Sequence, residues 1–131
     1  MTNVSKLNSK NKDYKIAYQQ LLSVIANLQK DTSRYLIDEL LTETEQIMLV
    51  KRFAAAYMYS QDYSPYRVSQ TLSISTSTAN RLYQRYTEGE FQNLLGCIPQ
   101  KKANEFLLLL EDLILAQVSP RARARLLNRV L

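Results

Sequence analysis

Histidine and tryptophan are absent from this sequence of 131 residues, and cysteine occurs once, at Cys97. Without histidine, neither an imidazole general base nor a histidine-ligated zinc site can be built. A single cysteine excludes an intramolecular disulfide, and no other feature requires an oxidising compartment. There is also no phosphate-binding loop and no carboxylate pair in a recognisable site, so we predict that the protein is not an enzyme.

Long apolar runs are missing too. The most hydrophobic one, residues 106–110 followed by residues 113–115, is interrupted by Glu111 and Asp112 and is far shorter than a bilayer crossing requires. The first eleven residues are polar and lack the apolar segment of a signal peptide. These features predict a soluble, cytoplasmic protein with no membrane partner.

Glycine (two residues) and proline (three residues) are scarce, which favours helices over a turn-rich β fold. Apolar residues recur at helical spacing, and we expect an all-α fold of six to seven helices. Three regions are predicted. Residues 1–11 form a disordered basic tail, residues 12–96 form the main helical domain, and residues 97–131 form a helical extension for dimerisation or partner binding.

The net charge of +5 is unevenly distributed. Five carboxylates lie between residues 31 and 45, whereas residues 46–87 contain one acidic residue, Asp62, against five basic ones. The basic residues of this middle segment are Lys51, Arg52, Arg67, Arg81 and Arg85. A segment with such an excess of positive charge is compatible with a polyanionic partner.

The start of the third helix carries a capping signal. Thr42 precedes Glu45 by three residues, which is the spacing of a capping box, and the helix is expected to run to about Tyr59. Asp31 or Thr32 is expected to cap the shorter helix before it. Along the first helix, one apolar stripe is expected at Tyr14, Tyr18, Leu21, Leu22, Ile25 and Leu28. Leu36, Leu40 and Leu41 are expected to face inward from the second helix.

Two helices are apolar on more than one face, over residues 47–58 and 105–115. A helix of this kind is buried on several sides, and a chain of this length offers few internal neighbours. We therefore expect a homodimer. The alternative is that both are internal helices of a compact monomer.

Residues 64–87 fit the pattern of a helix-turn-helix. Ser64 followed by Pro65 predicts a helix start. Apolar residues then follow at intervals of four, two, five and three, at Val68, Leu72, Ile74, Ala79 and Leu82. The small Ser69 follows the first of these, as tight packing of the two helices requires. Ser73 stands where the turn usually has glycine, and positive φ there would cost about 1 kcal/mol.

The outward face of the second helix, residues 76–87, combines groups that recognise nucleic acid. Residues 76–78 offer hydroxyls at the helix N-terminus, where unpaired N–H groups favour phosphate. The amides of Asn80 and Gln84 suit adenine, and the guanidinium groups of Arg81 and Arg85 suit guanine or phosphate. This helix is predicted to enter the major groove of double-stranded DNA. The candidate contacts are Arg67, Thr76, Ser77, Thr78, Asn80, Arg81, Gln84 and Arg85.

Three functions are compatible with these features. The leading prediction is a sequence-specific DNA-binding transcriptional regulator that acts as a homodimer. Because helix-turn-helix modules are shared among functions, the chain is alternatively the DNA-recognition subunit of a transposase or replication initiator. The third alternative is a helical adaptor whose arginine-rich end binds an acidic protein partner.

Taken together, these segments resemble the Trp repressor family. The resemblance rests on "AYQQLL", "LLTETEQ", Arg52 at ten residues after Thr42, and "YSPYRVSQTLSISTSTANR". It covers about residues 14–96. It implies an intertwined homodimer whose two recognition helices enter successive major grooves, at half-sites about 34 Å apart in a roughly palindromic site.

The resemblance also implies a ligand, since the Trp repressor itself binds a tryptophan co-repressor. The matching residues are Thr42, Arg52 and Arg81, with the arginines on either side of the indole of tryptophan or of another small co-repressor. Leu82 and Arg85 replace the family's glycine and serine, and Leu82 would fill space that an indole needs. Relatives without an established co-repressor resemble the sequence at least as well. Alternatively, Thr42 is only a helix cap and Arg52 only an ion-pair partner.

Overall fold

The computed structural model describes residues 10–116, which form seven helices and no strand. The helices are α1 (Lys12–Asn27), α2 (Ser33–Leu40), α3 (Glu43–Ser60), α4 (Pro65–Leu72), α5 (Thr76–Thr87), α6 (Gln92–Gly96) and α7 (Gln100–Ala116). The predicted all-α class is confirmed. Most of the predicted tail, residues 1–9, and residues 117–131 of the predicted extension lie outside the described part.

The chain divides into two compact units, Met1–Met48 and Leu49–Leu131. No described residue of the first unit is buried. All buried residues of the described part therefore belong to the second unit.

The first unit contains α1 and α2. Asn11, which the sequence placed in the tail, is the N-cap of α1, and its side-chain oxygen accepts hydrogen bonds from the backbone N–H groups of Asp13 (2.8 Å) and Tyr14 (3.2 Å). Thr32 stands at the N-cap of α2 but makes no capping bond there. Its hydroxyl instead accepts from the N–H of Gln29 at 2.9 Å, so the predicted N-cap position is confirmed but the side chain does not cap the helix.

The apolar stripe predicted for α1 is largely exposed in the single chain. The apolar residues of α1 that remain 39–53% exposed are Ile16, Tyr18, Leu21, Leu22, Val24 and Ile25. In α2, Leu40 is 64% exposed, which also corrects the prediction that it faces inward. Helical periodicity indicates which side of a helix is apolar, but two short helices leave that side without enough neighbours to cover it.

The second unit contains the core. Six consecutive residues of α3, Ala54–Tyr59, are buried, so the C-terminal half of this helix is covered on all sides, as its composition predicted. The remaining buried apolar residues are Val68, Leu72, Ala79, Leu82 and Phe91. By contrast, the N-terminal half of α3 exposes its apolar side chains, and Val50 is 63% exposed.

Helix α7 packs on α3 through aromatic rings. The ring of Phe106 lies 5.3 Å from that of Phe53 and 5.1 Å from that of Tyr57, measured between centroids. The hydroxyl of Tyr57 donates a hydrogen bond to the carbonyl oxygen of Ala103 at 2.8 Å. None of the described helices has the length and the apolar character needed to cross a bilayer.

Candidate nucleic-acid interface

The turn between α4 and α5 has the backbone that the sequence predicts. Ser73 is left-handed, with φ 53° and ψ 52°, and its N–H donates to the carbonyl of Ser69. The hydroxyl of Ser69 in turn donates to the carbonyl of Ile74 at 2.7 Å. The side chain of Lys51, from α3, donates to the carbonyl of Ser73 at 3.2 Å. Serine thus occupies the usual glycine position because hydrogen bonds hold the turn from two helices.

The apolar residues predicted to pack the two helices together do so. Val68, Leu72, Ala79 and Leu82 are buried, and Ile74 is half-buried against the same core. Ser69 is buried as well, as a small residue at the close approach must be. The two helices consequently form one rigid hairpin, with α5 presenting its opposite side to solvent.

The N-terminus of α5 is ordered by its own hydroxyl groups. Ser75 is the N-cap, and its side-chain oxygen accepts from the N–H of Thr78 at 3.1 Å. The same hydroxyl lies 3.2 Å from that of Ser77 and donates to the hydroxyl of Thr78 at 2.9 Å. Thr76 and Ser77 are exposed, while Thr78 is half-buried. The hydroxyl-bearing segment of residues 75–78 therefore caps the helix through Ser75, and the hydroxyls of Thr76 and Ser77 remain accessible.

Opposite the buried face of α5 lies the exposed set Ser77, Asn80, Arg81 and Gln84. The predicted base-contacting residues thus share one surface of one helix. Arg81 donates to the hydroxyl of Thr78 at 3.3 Å, which holds its guanidinium close to the helix N-terminus. The amide of Gln84 donates to the carboxylate of Glu88 at 3.3 Å.

Arg85 lies to one side of that surface and is engaged within the protein. Its Nε is 3.2 Å from a carboxylate oxygen of Glu90, and its guanidinium carbon is 4.7 Å from the centroid of the Phe91 ring. The ion pair is half-exposed, so a phosphate can compete for the guanidinium.

Arg67, the remaining candidate contact, belongs to α4 rather than to α5. It is exposed in the first turn, and its N–H donates to the capping hydroxyl of Ser64 at 3.2 Å. Together with Asp62, Tyr63 and Ser64 it lines a shallow cavity of about 330 Å³.

Two residues of α3 that the sequence did not single out hold the helix-turn-helix of α4 and α5 in place. Lys51 bonds the turn, as described above, and Tyr59 bonds α5. The hydroxyl of Tyr59 donates to the carbonyl of Ala79 at 2.6 Å in a buried position. Burial, reinforced by Tyr83 nearby, raises the pKa of Tyr59 to about 12, which keeps this hydroxyl a donor. Tyr59 is the last of six consecutive buried residues of α3, and this apolar run was the only feature of the local sequence that indicated where Tyr59 lies.

The three residues of the predicted ligand site make the following contacts. Thr42 forms the predicted capping box with Glu45: each backbone N–H donates to the other side chain, both at 3.2 Å. Arg52 lines an apolar cavity of about 400 Å³, whose other lining residues are Leu49, Val50, Phe53, Phe91 and Leu94. Arg81 bonds Thr78 and is not among these lining residues. Co-repressor binding stays a prediction.

The comparison with known families agrees with this geometry. Residues 49–95 match the homeodomain-like domain, a DNA-binding helix-turn-helix domain. The match contains all of α4 and α5 and the last two thirds of α3, from which Lys51 and Tyr59 extend. No curated protein and no solved structure is significantly similar to the chain.

Proposed function

We propose that this chain is a sequence-specific DNA-binding transcriptional regulator that acts as a homodimer and places α5 in the major groove of double-stranded DNA. The observation that carries the proposal is the exposed face of α5. From Thr76 to Thr87 this helix has no carboxylate, and its exposed polar side chains are hydroxyls, amides, guanidinium groups and the phenol of Tyr83. A merely solvated helix face carries charges of both signs, whereas this one complements phosphates and base edges.

The residues of this face divide by chemistry into two groups. Thr76, Ser77 and the N-terminal N–H groups of α5 bind phosphate, because the helix dipole and the short side chains both favour an anion there. Asn80 and Gln84 present amides of the kind that pair with adenine, and Arg81 reads guanine or holds a phosphate.

Arg67 and Arg85 contact phosphates at the edges of the interface. Arg85 lies beside the central surface of α5, and Arg67 extends from α4, so neither is placed to read bases. Thr78 acts through Arg81, whose guanidinium its hydroxyl holds.

The homodimer is supported by apolar surface that a single chain leaves exposed. In the first unit, α1 exposes six large apolar side chains and buries none. Covering such a surface removes it from water, at about 25 cal/mol for each Å². A two-fold symmetric dimer of the intertwined Trp repressor type would bury it and present two copies of α5 to a roughly palindromic site.

A second function fits the same domain. The DNA-recognition subunit of a transposase or replication initiator uses the same kind of module. The match over residues 49–95 is compatible with this function and with a transcriptional regulator. The two differ in the expected target. A regulator binds dispersed operator sites, whereas a recognition subunit binds repeated sites at the ends of one element or at one origin.

Selection of bound sequences from a random pool of duplex DNA tests the proposal. We expect enrichment of one motif made of two inverted half-sites about one or a few helical turns apart. Sedimentation of the protein at micromolar concentration should show a dimer. A pool that stays random after selection would refute sequence-specific binding, and a monomer enriching a single half-site would refute the dimer alone.

A further inference from the structure

The recognition helix is joined to the rest of the second unit by contacts of two kinds. Ala79 and Leu82 make apolar contacts in the core, and such contacts are not directional. Hydrogen bonds, in contrast, fix both distance and angle. The few hydrogen bonds that reach α5 from other helices therefore add a directional constraint that the apolar contacts do not supply.

Two of the hydrogen bonds around the hairpin act on the turn. Lys51 donates to the carbonyl of Ser73, and Ser69 donates to the carbonyl of Ile74. Both acceptors precede α5, so these bonds fix where the helix begins. Because neither bond reaches α5 itself, the rotation of α5 about its own axis depends on a contact within the helix.

Tyr59 supplies that further contact. Its hydroxyl donates to the carbonyl of Ala79, and its ring centroid lies 5.1 Å from that of Tyr83 and 5.9 Å from that of Tyr86. One side chain thus contacts three positions spread over two turns of α5. Tyr59 is only 2% exposed, and the five residues that precede it in α3, Ala54–Met58, are all buried, so its own position is firmly held.

The acceptor of this bond is adjacent to the reading surface. Ala79 immediately precedes Asn80 and Arg81, the central residues of the exposed face. A rotation of α5 that lengthens the bond from Tyr59 would move these two side chains around the helix axis. Base pairs are discriminated by hydrogen bonds of defined geometry, whereas phosphates are bound with much greater tolerance.

We propose that Tyr59 is a positioning residue for base recognition: its hydroxyl sets the rotation of α5, and hence the discrimination between DNA sequences. It touches no DNA. The inference rests on the proposed function and adds a determinant of specificity that lies in the core, on the side of α5 opposite the DNA.

The chain offers a matched control for the experiment. Tyr57 lies on the same helix, is also buried, and its hydroxyl also donates to a backbone carbonyl, that of Ala103 in α7. Tyr57→Phe and Tyr59→Phe each remove one hydroxyl and the hydrogen bond that it donates to a backbone carbonyl. Only the second variant alters a bond to α5.

For each protein, the measurement is the affinity for a selected duplex divided by the affinity for a random-sequence duplex, both determined at one salt concentration. One probe is the duplex enriched from the random pool, and the other is a random-sequence duplex of equal length. For Tyr59→Phe we expect the ratio to fall about tenfold, through partial loss of base contacts, with unchanged affinity for the random duplex. For Tyr57→Phe the ratio should equal that of the wild type.

Amide hydrogen exchange without DNA provides a second readout. Tyr59→Phe should accelerate exchange within α5, and Tyr57→Phe should accelerate it within α7. An unchanged ratio for Tyr59→Phe, or an equal fall for both variants, would overturn the positioning role while leaving the proposed function intact. A wild-type protein that binds neither duplex would instead remove the proposed function, and this inference with it.

Discussion

Arg85 and Glu90 form an ion pair at the end of the recognition helix, with 3.2 Å between Nε and a carboxylate oxygen, while the ring of Phe91 lies against the guanidinium. The pair orients Arg85 and at the same time neutralises a positive charge beside the exposed face of α5. Both side chains are about half-exposed, so the pair itself stabilises the fold little, by about 0–1 kcal/mol.

Glu90→Gln should therefore increase the affinity for random-sequence DNA. Removal of the carboxylate frees Arg85 for a phosphate, and we expect a gain of up to about fivefold at low salt, decreasing as salt is raised. Fluorescence anisotropy with a labelled duplex measures it. Glu105→Gln is the control, because it removes the same charge from an ion pair with Lys102 on α7. Equal gains for both variants would mean that net charge, rather than Arg85, is responsible.

Arg81 is expected to read a base. Arg81→Ala should weaken binding to the selected sequence by about 1–3 kcal/mol and binding to random DNA by much less. Titration of both duplexes with both proteins gives the two losses. Arg52→Ala serves as the comparison, since it removes an exposed positive charge from α3 rather than α5. If Arg81→Ala weakens both duplexes equally, Arg81 binds a phosphate instead.

The helix-turn-helix could be predicted from the sequence because its determinants are local. The cap at Ser64, the intervals from Val68 to Leu82 and the turn at Ser73 all lie within one short segment, and all are found in the structure. Likewise, the capping box of Thr42 and Glu45 needs only three residues of spacing.

The position of Tyr59 could not be predicted in this way. Its bond to Ala79 joins residues twenty positions apart, and no local pattern shows which tyrosine of α3 faces α5. The apolar stripe of α1 raises the converse difficulty. Its spacing correctly identifies a helix, but the surface that would cover the stripe is not contained in the local sequence, and in the single chain the stripe stays exposed.

The capping box predicts a pH dependence. Hydrogen bonds from Thr42, first from its hydroxyl and then from its backbone, lower the pKa of Glu45. A carboxyl with a lower pKa in the folded state contributes stability that is fully present above its unfolded pKa and is lost as the pH falls through its folded pKa. The contribution of Glu45 should thus disappear as the pH drops below about 4.5.

Urea unfolding followed by circular dichroism at several pH values measures this effect. Glu45→Gln should show a shallower decline in the free energy of unfolding below about pH 4.5 than the wild type. Glu43→Gln removes a carboxylate from the same first turn without disturbing the bonds to Thr42, and it should follow the wild type. Parallel curves for Glu45→Gln and the wild type would contradict the assignment.

The two serines in the turn between α4 and α5, Ser73 and Ser75, should respond to mutation in opposite directions. Ser73 is left-handed, a conformation that disfavours residues with a Cβ, and its exposed side chain can be removed while its backbone bonds to Ser69 and Lys51 remain. Ser73→Gly relieves the strain but gives the unfolded chain more freedom, and we expect a net gain of up to about 1 kcal/mol in the free energy of unfolding.

Ser75 is extended and caps α5 through its hydroxyl, so Ser75→Ala should cost about 1 kcal/mol. Urea unfolding of the two variants measures both changes. A Ser73→Gly variant less stable than the wild type would show that the turn depends on the side chain at this position. Because the cap also orders Thr78, which holds Arg81, Ser75→Ala should in addition reduce the affinity for the selected duplex by more than Ser73→Gly does.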